Sequence, residues 1–151
     1  MTRFDDLLIG GHFATDVTTY DDFYPGDEDN ARIVTTVSIA GSVTTQAIVD
    51  TGAPWCILHP ELAESVGIRA HSGYEPSRKL FVRGISCAGR LHRVLIGLRG
   101  EKLGNDLEVE ATVFVPDGEW PHPNFLGLSG LLDRIRFAID PAENAFYFGP
   151  L

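Results

Sequence analysis

The stretch AIVDTGAPWCILHP, residues 47–60, places a carboxylate where chemistry could occur. An apolar run ends at Asp50, Thr51 and Gly52, and apolar residues resume after Pro54. Asp, Thr and Gly are also ordinary turn residues, so the motif by itself fits a turn that follows a buried strand. The alternative interpretation is an acid–base carboxylate presented at the end of that strand.

The other residues that could do chemistry indicate neither a metal site nor a cofactor site. The two cysteines, Cys56 and Cys87, form no Cys-x-x-Cys pair, and we expect reduced thiols. The five histidines show no metal-ligand spacing. No glycine-rich phosphate loop stands between a strand and a helix. The sequence therefore predicts a site that works without a metal or cofactor.

Length, charge and hydropathy narrow the class of protein. A chain of 151 residues with 44% hydrophobic residues can bury a core of its own. Its net charge of −9 disfavours nucleic acid or an anionic membrane as the main partner. No apolar run approaches the roughly 20 residues that span a bilayer, and the first residues carry acids where a signal peptide would be apolar. We expect a soluble, cytoplasmic protein.

The elements that must position Asp50 are mainly strands. Residues 1–30 are expected to form an acidic N-terminal arm, solvated or extended over 15–30, and residues 31–151 one domain. RIVTTVSI and VTTQAIVD read as a hairpin whose second strand ends at Asp50. HPELAESVG reads as a short helix closed by Gly67.

The second half of the chain continues this pattern. LFVRGISCAGRLHRVLIGL (80–98) reads as two apolar strands around a small, flexible tip, and LEVEATVFVPD as a half-buried strand. NFLGLSGLLDRI begins as a strand, breaks at Gly127 and continues as a short helix, and RFAIDPAENAFYFGP reads as a closing hairpin. The sequence thus predicts an all-β fold with one or two short helices.

In this order the motifs resemble the retropepsin-like aspartic proteases, the family of retroviral proteases and their single-domain cellular relatives. IVDTGA (48–53) is similar to the catalytic loop, VRGISCAGRLHRVLIGL (82–98) to the flap hairpin, and NFLGLSGLL (124–132) to the late apolar-apolar-Gly segment. The similarity covers roughly residues 32–149. It implies the acid-protease half-barrel fold and an aspartic endopeptidase, with peptide or protein as the substrate.

The resemblance also implies the composition of the site. Two nearby carboxylates cannot both ionise, so they share a proton, and one acts as base while the other acts as acid. The chain holds a single Asp-Thr-Gly, so an enzyme of this family must be a homodimer in which Asp50 faces its mate. Thr51 would tie the two active-site loops together, and Gly52 would let the backbone approach the carboxylate closely. The implied substrate-binding residues are Ala53 and the flap residues Gly84, Ile85, Ser86, Cys87, Ala88 and Gly89.

The sequence departs from the family pattern at two places. Pro54, Trp55 and Cys56 replace the acidic residues that often follow the catalytic motif, and Leu128 and Ser129 replace the Arg-Asp or Arg-Asn pair after the late glycine. These departures leave a second interpretation open, a catalytically weak peptide-binding or dimerisation module of the same fold. A third is a monomeric β-protein whose Asp-Thr-Gly is only a turn. The C-terminal NAFYFGPL could pair with a second copy or within its own chain.

Overall fold

Ten β-strands and one short α-helix make up the described part of the chain. The computed structural model describes residues 5–8, 13–69, 76–82 and 84–151. The strands are β1 (Asp16–Thr19), β2 (Val34–Ile39), β3 (Val43–Val49), β4 (Cys56–Ile57), β5 (Arg78–Val82), β6 (Ile85–Leu98), β7 (Leu107–Pro116), β8 (Phe125–Leu126), β9 (Ile135–Asp140) and β10 (Ala145–Pro150). The predicted all-β fold is confirmed.

The larger sheet surrounds the core and carries Asp50. Its strand order is β2-β3-β8-β4-β7-β6-β5, and β2 also pairs with β6, so the sheet closes on itself except for β5. The predicted hairpin of β2 and β3 is confirmed, with Val34 opposite Ile48. β3 runs parallel to β8, and because parallel strands end at the same edge, Asp50 lies beside the residues that follow Leu126.

Strand β7 runs between two hydrophobic clusters. One cluster includes Val113 and Val115, and the other includes Phe114 on the opposite face of the strand. The sequence predicted a half-buried strand, and this is true only of its first four residues. Residues 111–116 are buried throughout because alternate side chains enter different clusters.

A smaller sheet, in the order β1-β10-β9, joins the two ends of the described chain. Both edges of β10 are therefore paired within its own chain, which decides the question that the sequence left open. The sequence predicted a solvated arm or an extended lead-in over 15–30, and residues 16–19 are extended but paired with β10. The boundary at residue 30 stays a prediction.

Asp16 ties β1 to the loop that follows β6. Its carboxylate is fully buried and binds the loop between β6 and β7. Burial raises the pKa of Asp16, but backbone N–H donors lower it by more, so the net pKa lies below its ordinary value of 3.8. The donors are the backbone N–H groups of Val17, Lys102, Leu103 and Asn105, at 2.8 to 3.1 Å.

The helices are short. α1 (Pro60–Ser65) is followed by Gly67 at φ 85°, as the sequence predicts. The helix expected after Gly127 is only a 3-10 turn, Leu132–Arg134. The N–H groups of Leu132 and Asp133 donate five residues back, to the carbonyls of Gly127 and Leu128, and not four residues back as in an α-helix. Within the described ranges, no helix has the length and apolar character needed to cross a bilayer.

Candidate active site

Asp50 stands at the end of β3 in a tight, hydrogen-bonded loop. Its backbone N–H donates to the carbonyl of Leu126 (3.0 Å), and its own carbonyl accepts from Ala53 (3.1 Å). The Oδ1 atom of Asp50 accepts a hydrogen bond from the N–H of Gly52 at 2.8 Å. A Cβ atom on Gly52 would lie 3.1 Å from that oxygen, closer than an ordinary contact. The loop therefore fixes the carboxylate from both sides along the chain.

The segment after β8 braces the other half of the loop. The N–H of Leu128 donates to the carbonyl of Ala53 at 2.8 Å, and the N–H of Ser129 donates to the carbonyl of Pro54 at 2.7 Å. Gly127 packs so closely against the loop that follows Asp50 that a Cβ atom on it would be 2.1 Å from the carbonyl oxygen of Trp55. Backbone hydrogen bonds and close packing thus support the loop at the positions where the family pattern has charged residues.

Asp50 opens into a cavity of about 630 Å³ whose wall includes Gly52 and Ala53. Arg32 and Asp50 are the two charged residues among those that line it. A cavity of this size with a mostly apolar wall and few polar groups is typical of a ligand site. The apolar part of the wall is formed mainly by Ile33, Ile48, Ile57, Leu80, Val82 and Phe125.

In the hairpin of β5 and β6, the residues that line this cavity belong to β5. The pairing of Val82 with Ile85 leaves a tight turn that contains Gly84 at φ 81°, so the small, flexible tip expected over residues 83–90 is shorter than predicted. Residues 85–89 belong to strand β6 and pair with β5. The pairing of β6 with β7 begins at the last of these residues, where Gly89 lies opposite Pro116.

Some of the predicted substrate-binding residues line the cavity and others do not. Ala53 lines the cavity, while the residues that line it from the hairpin are Leu80, Phe81 and Val82. Gly89 is buried, and a Cβ atom on it would lie 2.5 Å from the ring of Phe114. The remaining flap residues are absent from the cavity wall, and of these Cys87 is half-buried while four are exposed, Gly84, Ile85, Ser86 and Ala88.

Thr51 and Trp55 occupy different surroundings. Thr51 is exposed, and within the described residues its hydroxyl forms no hydrogen bond. Trp55 is half-buried against the core and stacks on Phe114 with 6.5 Å between ring centroids. The guanidinium of Arg78, at the base of the hairpin, lies 5.4 Å from the Trp55 ring centroid. Trp55 therefore connects the Asp50 loop to β5.

The thiols of Cys56 and Cys87 are less suited than the Asp50 carboxylate to act as reacting groups. Burial raises the pKa of Cys56 to about 11. Burial, and then the negative charge of Asp117, raise the pKa of Cys87. Both thiols are protonated at neutral pH, and the thiol is a weak nucleophile. Among the described residues, no group of three His, Cys, Asp or Glu side chains could hold a metal ion.

Sequence reasoning missed two parts of the cavity. The alternating Leu80 and Val82 of RKLFV could have been found, because alternate residues of a half-buried strand share one face. Arg32 could also have been found, because the register of the predicted hairpin, with Val34 opposite Ile48, places residue 32 level with Asp50.

No family model matches this sequence, and no curated protein matches it either. Solved structures do match its fold. One is a retropepsin-like aspartic protease from Rickettsia conorii, with a TM-score of 0.52 and 19% sequence identity. The match covers 87% of this chain and 86% of that chain. The chain therefore has a retropepsin-like fold.

Proposed function

We propose that this chain is one subunit of a homodimeric aspartic peptidase. Its substrates are extended peptides, cleaved between apolar residues by water held between two Asp50 carboxylates. One observation carries the proposal. Asp50 ends β3 in a loop fixed by hydrogen bonds, and it opens into an apolar cavity of about 630 Å³ bordered by a β-hairpin. The fold shared with the Rickettsia conorii protein supports it.

The chemistry follows from two carboxylates that share one proton. The ionised Asp50 takes a proton from the water as it attacks the peptide carbonyl, and the protonated Asp50 gives its proton to the departing amide. The pair titrates as a unit, so activity should be highest at mildly acidic pH. A cleavage rate that stays flat from pH 4 to pH 8 would contradict the shared proton.

A second copy is needed because the described residues place no other carboxylate in the cavity wall. The dimer cannot recruit an edge of β10, since β1 and β9 already occupy both. The exposed Thr51 and Gly52 are available to meet their counterparts, and the Thr51 hydroxyl supplies the hydrogen bond between the loops. The hairpin tip presents two exposed apolar side chains, Phe81 and Ile85, which can close over a bound peptide.

The test is cleavage of a mixed peptide library at pH 4 to 7 by the wild-type protein and by Asp50→Asn. Asp29→Asn is the matched control, because it removes one carboxylate from an exposed position outside the cavity. We expect cuts that Asp50→Asn loses and Asp29→Asn keeps, with the oligomeric state by sedimentation unchanged.

Two other results would favour the other interpretations. A folded dimer that binds peptides but cuts none, with affinity unchanged in Asp50→Asn, indicates the peptide-binding module. A monomer at high concentration that cuts nothing leaves Asp50 without a mate and makes the motif a turn.

A further inference from the structure

Arg32 is a basic side chain in a cavity wall that is otherwise apolar except for Asp50. Its position is fixed by the backbone on both sides. The N–H of Arg32 donates to the carbonyl of Asp22 at 2.6 Å, and the carbonyl of Ile33 accepts from the N–H of Val49 at 2.8 Å. Arg32 and Asp50 are thus held on one framework, and a peptide that reaches one lies within range of the other.

The guanidinium of Arg32 has more N–H donors than hydrogen bonds. A guanidinium carries five N–H donors in a planar fork that matches a carboxylate. Here Nη1 donates to the carbonyl of Ala31 at 2.9 Å. In the parts of the chain that the structure describes, this is the side chain's one hydrogen bond, and no carboxylate pairs with it.

Charge and partial burial decide what this group can bind. Arg32 is half-buried, so its charge is less well hydrated than that of a fully exposed arginine. A charge-assisted, two-pronged hydrogen bond to a carboxylate compensates for that loss more strongly than a bond to a neutral group. The protein's net charge of −9 opposes long-range attraction of an acidic peptide, so the preference must arise at contact.

We propose that Arg32 is a specificity-determining residue that selects peptides with a carboxylate side chain near the scissile bond. This inference rests on the proposed peptidase function. It assigns the cavity a substrate class, apolar peptides that carry one Glu or Asp, and it predicts discrimination between Glu and its uncharged isostere Gln at one position of the bound peptide.

A purely structural role for Arg32 predicts a different result. If Arg32 only holds its own segment through Ala31, its loss weakens binding of Glu and Gln peptides equally. If it binds the substrate carboxylate, Arg32→Gln reduces kcat/KM for the Glu peptide alone, by about tenfold, which corresponds to about 1.4 kcal/mol. Arg32→Glu should reverse the preference and favour a Lys peptide at the same position.

The experiment scans Glu against Gln at each position of one cleavable peptide. Wild type, Arg32→Gln, Arg32→Glu and the control Arg99→Gln are compared, since Arg99 is exposed and outside the cavity wall. The same labelled peptides are titrated against these variants in an Asp50→Asn background by fluorescence anisotropy, which needs no cleavage. We expect the Glu preference in wild type and Arg99→Gln and its loss in Arg32→Gln.

The two readouts separate the inference from the function on which it rests. Cleavage with no Glu preference at any position, or with a preference that Arg32→Gln retains, overturns the role of Arg32 and leaves the peptidase standing. Discrimination in anisotropy without any cleavage supports Arg32 and overturns catalysis. Peptides that are neither cut nor bound overturn both.

Discussion

Replacing Gly127 by Ala tests whether the segment after β8 positions the Asp50 loop. The added Cβ atom would lie 2.1 Å from the carbonyl oxygen of Trp55 and 2.9 Å from that of Ala53. Both neighbours are backbone atoms, so no side chain can rotate away to make room. The loop that follows Asp50 must move.

The displacement can be worked from these distances. To bring the Trp55 oxygen to even 3.0 Å, it must shift by roughly 0.9 Å (3.0 less 2.1). A misplacement of about 1 Å in catalytic groups costs about 100-fold in rate, or about 2.7 kcal/mol in transition-state stabilisation. Overpacking also lowers the free energy of unfolding by about 1 to 3 kcal/mol.

The matched control is Gly118→Ala, because Gly118 has no neighbour within 4 Å of the added atom. Urea unfolding measures stability, and kcat/KM on a cleavable peptide measures loop placement. We expect Gly118→Ala to behave as wild type. If Gly127→Ala stays within about 0.5 kcal/mol of Gly118→Ala in unfolding and cuts as fast, the segment after β8 does not position the loop.

Two further predictions concern stability. Asp16→Asn should lower the free energy of unfolding by about 2 to 3 kcal/mol at pH 7, because one of two buried oxygens that accept from backbone N–H groups becomes an NH2 donor. Asp106→Asn keeps an amide oxygen that can accept its one exposed bond from Gly100, so it should cost about 1 kcal/mol or less. Because the folded pKa of Asp16 is depressed, the stabilisation by its carboxylate is present above the ordinary pKa of 3.8 and is lost as the pH falls through the lower folded value. In urea unfolding from pH 7 to pH 3, the difference in free energy of unfolding between wild type and Asp16→Asn should therefore shrink below pH 3.8. A difference that grows in acid would contradict this. Trp55→Leu should lower the free energy of unfolding by about 2 kcal/mol, because the stack on Phe114 and the contact with Arg78 are lost. A double-mutant cycle with Arg78→Gln that shows no coupling energy would refute the contact.

Local patterns in the sequence were sufficient for several elements of the fold. The β-branched alternation before Asp50 predicted the hairpin of β2 and β3, and Gly67 predicted the end of α1. The carboxylate at the end of a strand could be predicted equally well, because the residues on either side of Asp50 change from apolar to turn-forming. Such signals arise from neighbours along the chain, and neighbours along the chain are visible in a sequence.

The errors share a different cause. Residues 86–89 are small and suggested a loop, yet pairing with β5 and β7 holds them in a strand. The acidic residues before 30 suggested solvent, yet Asp16 is buried by donors from a loop more than 80 residues away. For Asp16 a distant segment supplies the hydrogen bonds, and composition carries no record of that partner. Residues 86–89 pair with β5, the other strand of their own hairpin, and small residues do not show that pairing.

The sequence by itself determined that a carboxylate, a hydroxyl and a glycine follow a strand, and that a single copy of the motif is present. Only the tertiary structure decided what surrounds them. The pairing of β6 with both β2 and β5 brings β5 to the same cavity as Asp50, and β10 has no free edge because β1 and β9 pair with it. These facts depend on which strands become neighbours in space, and that is set by burial of the whole core.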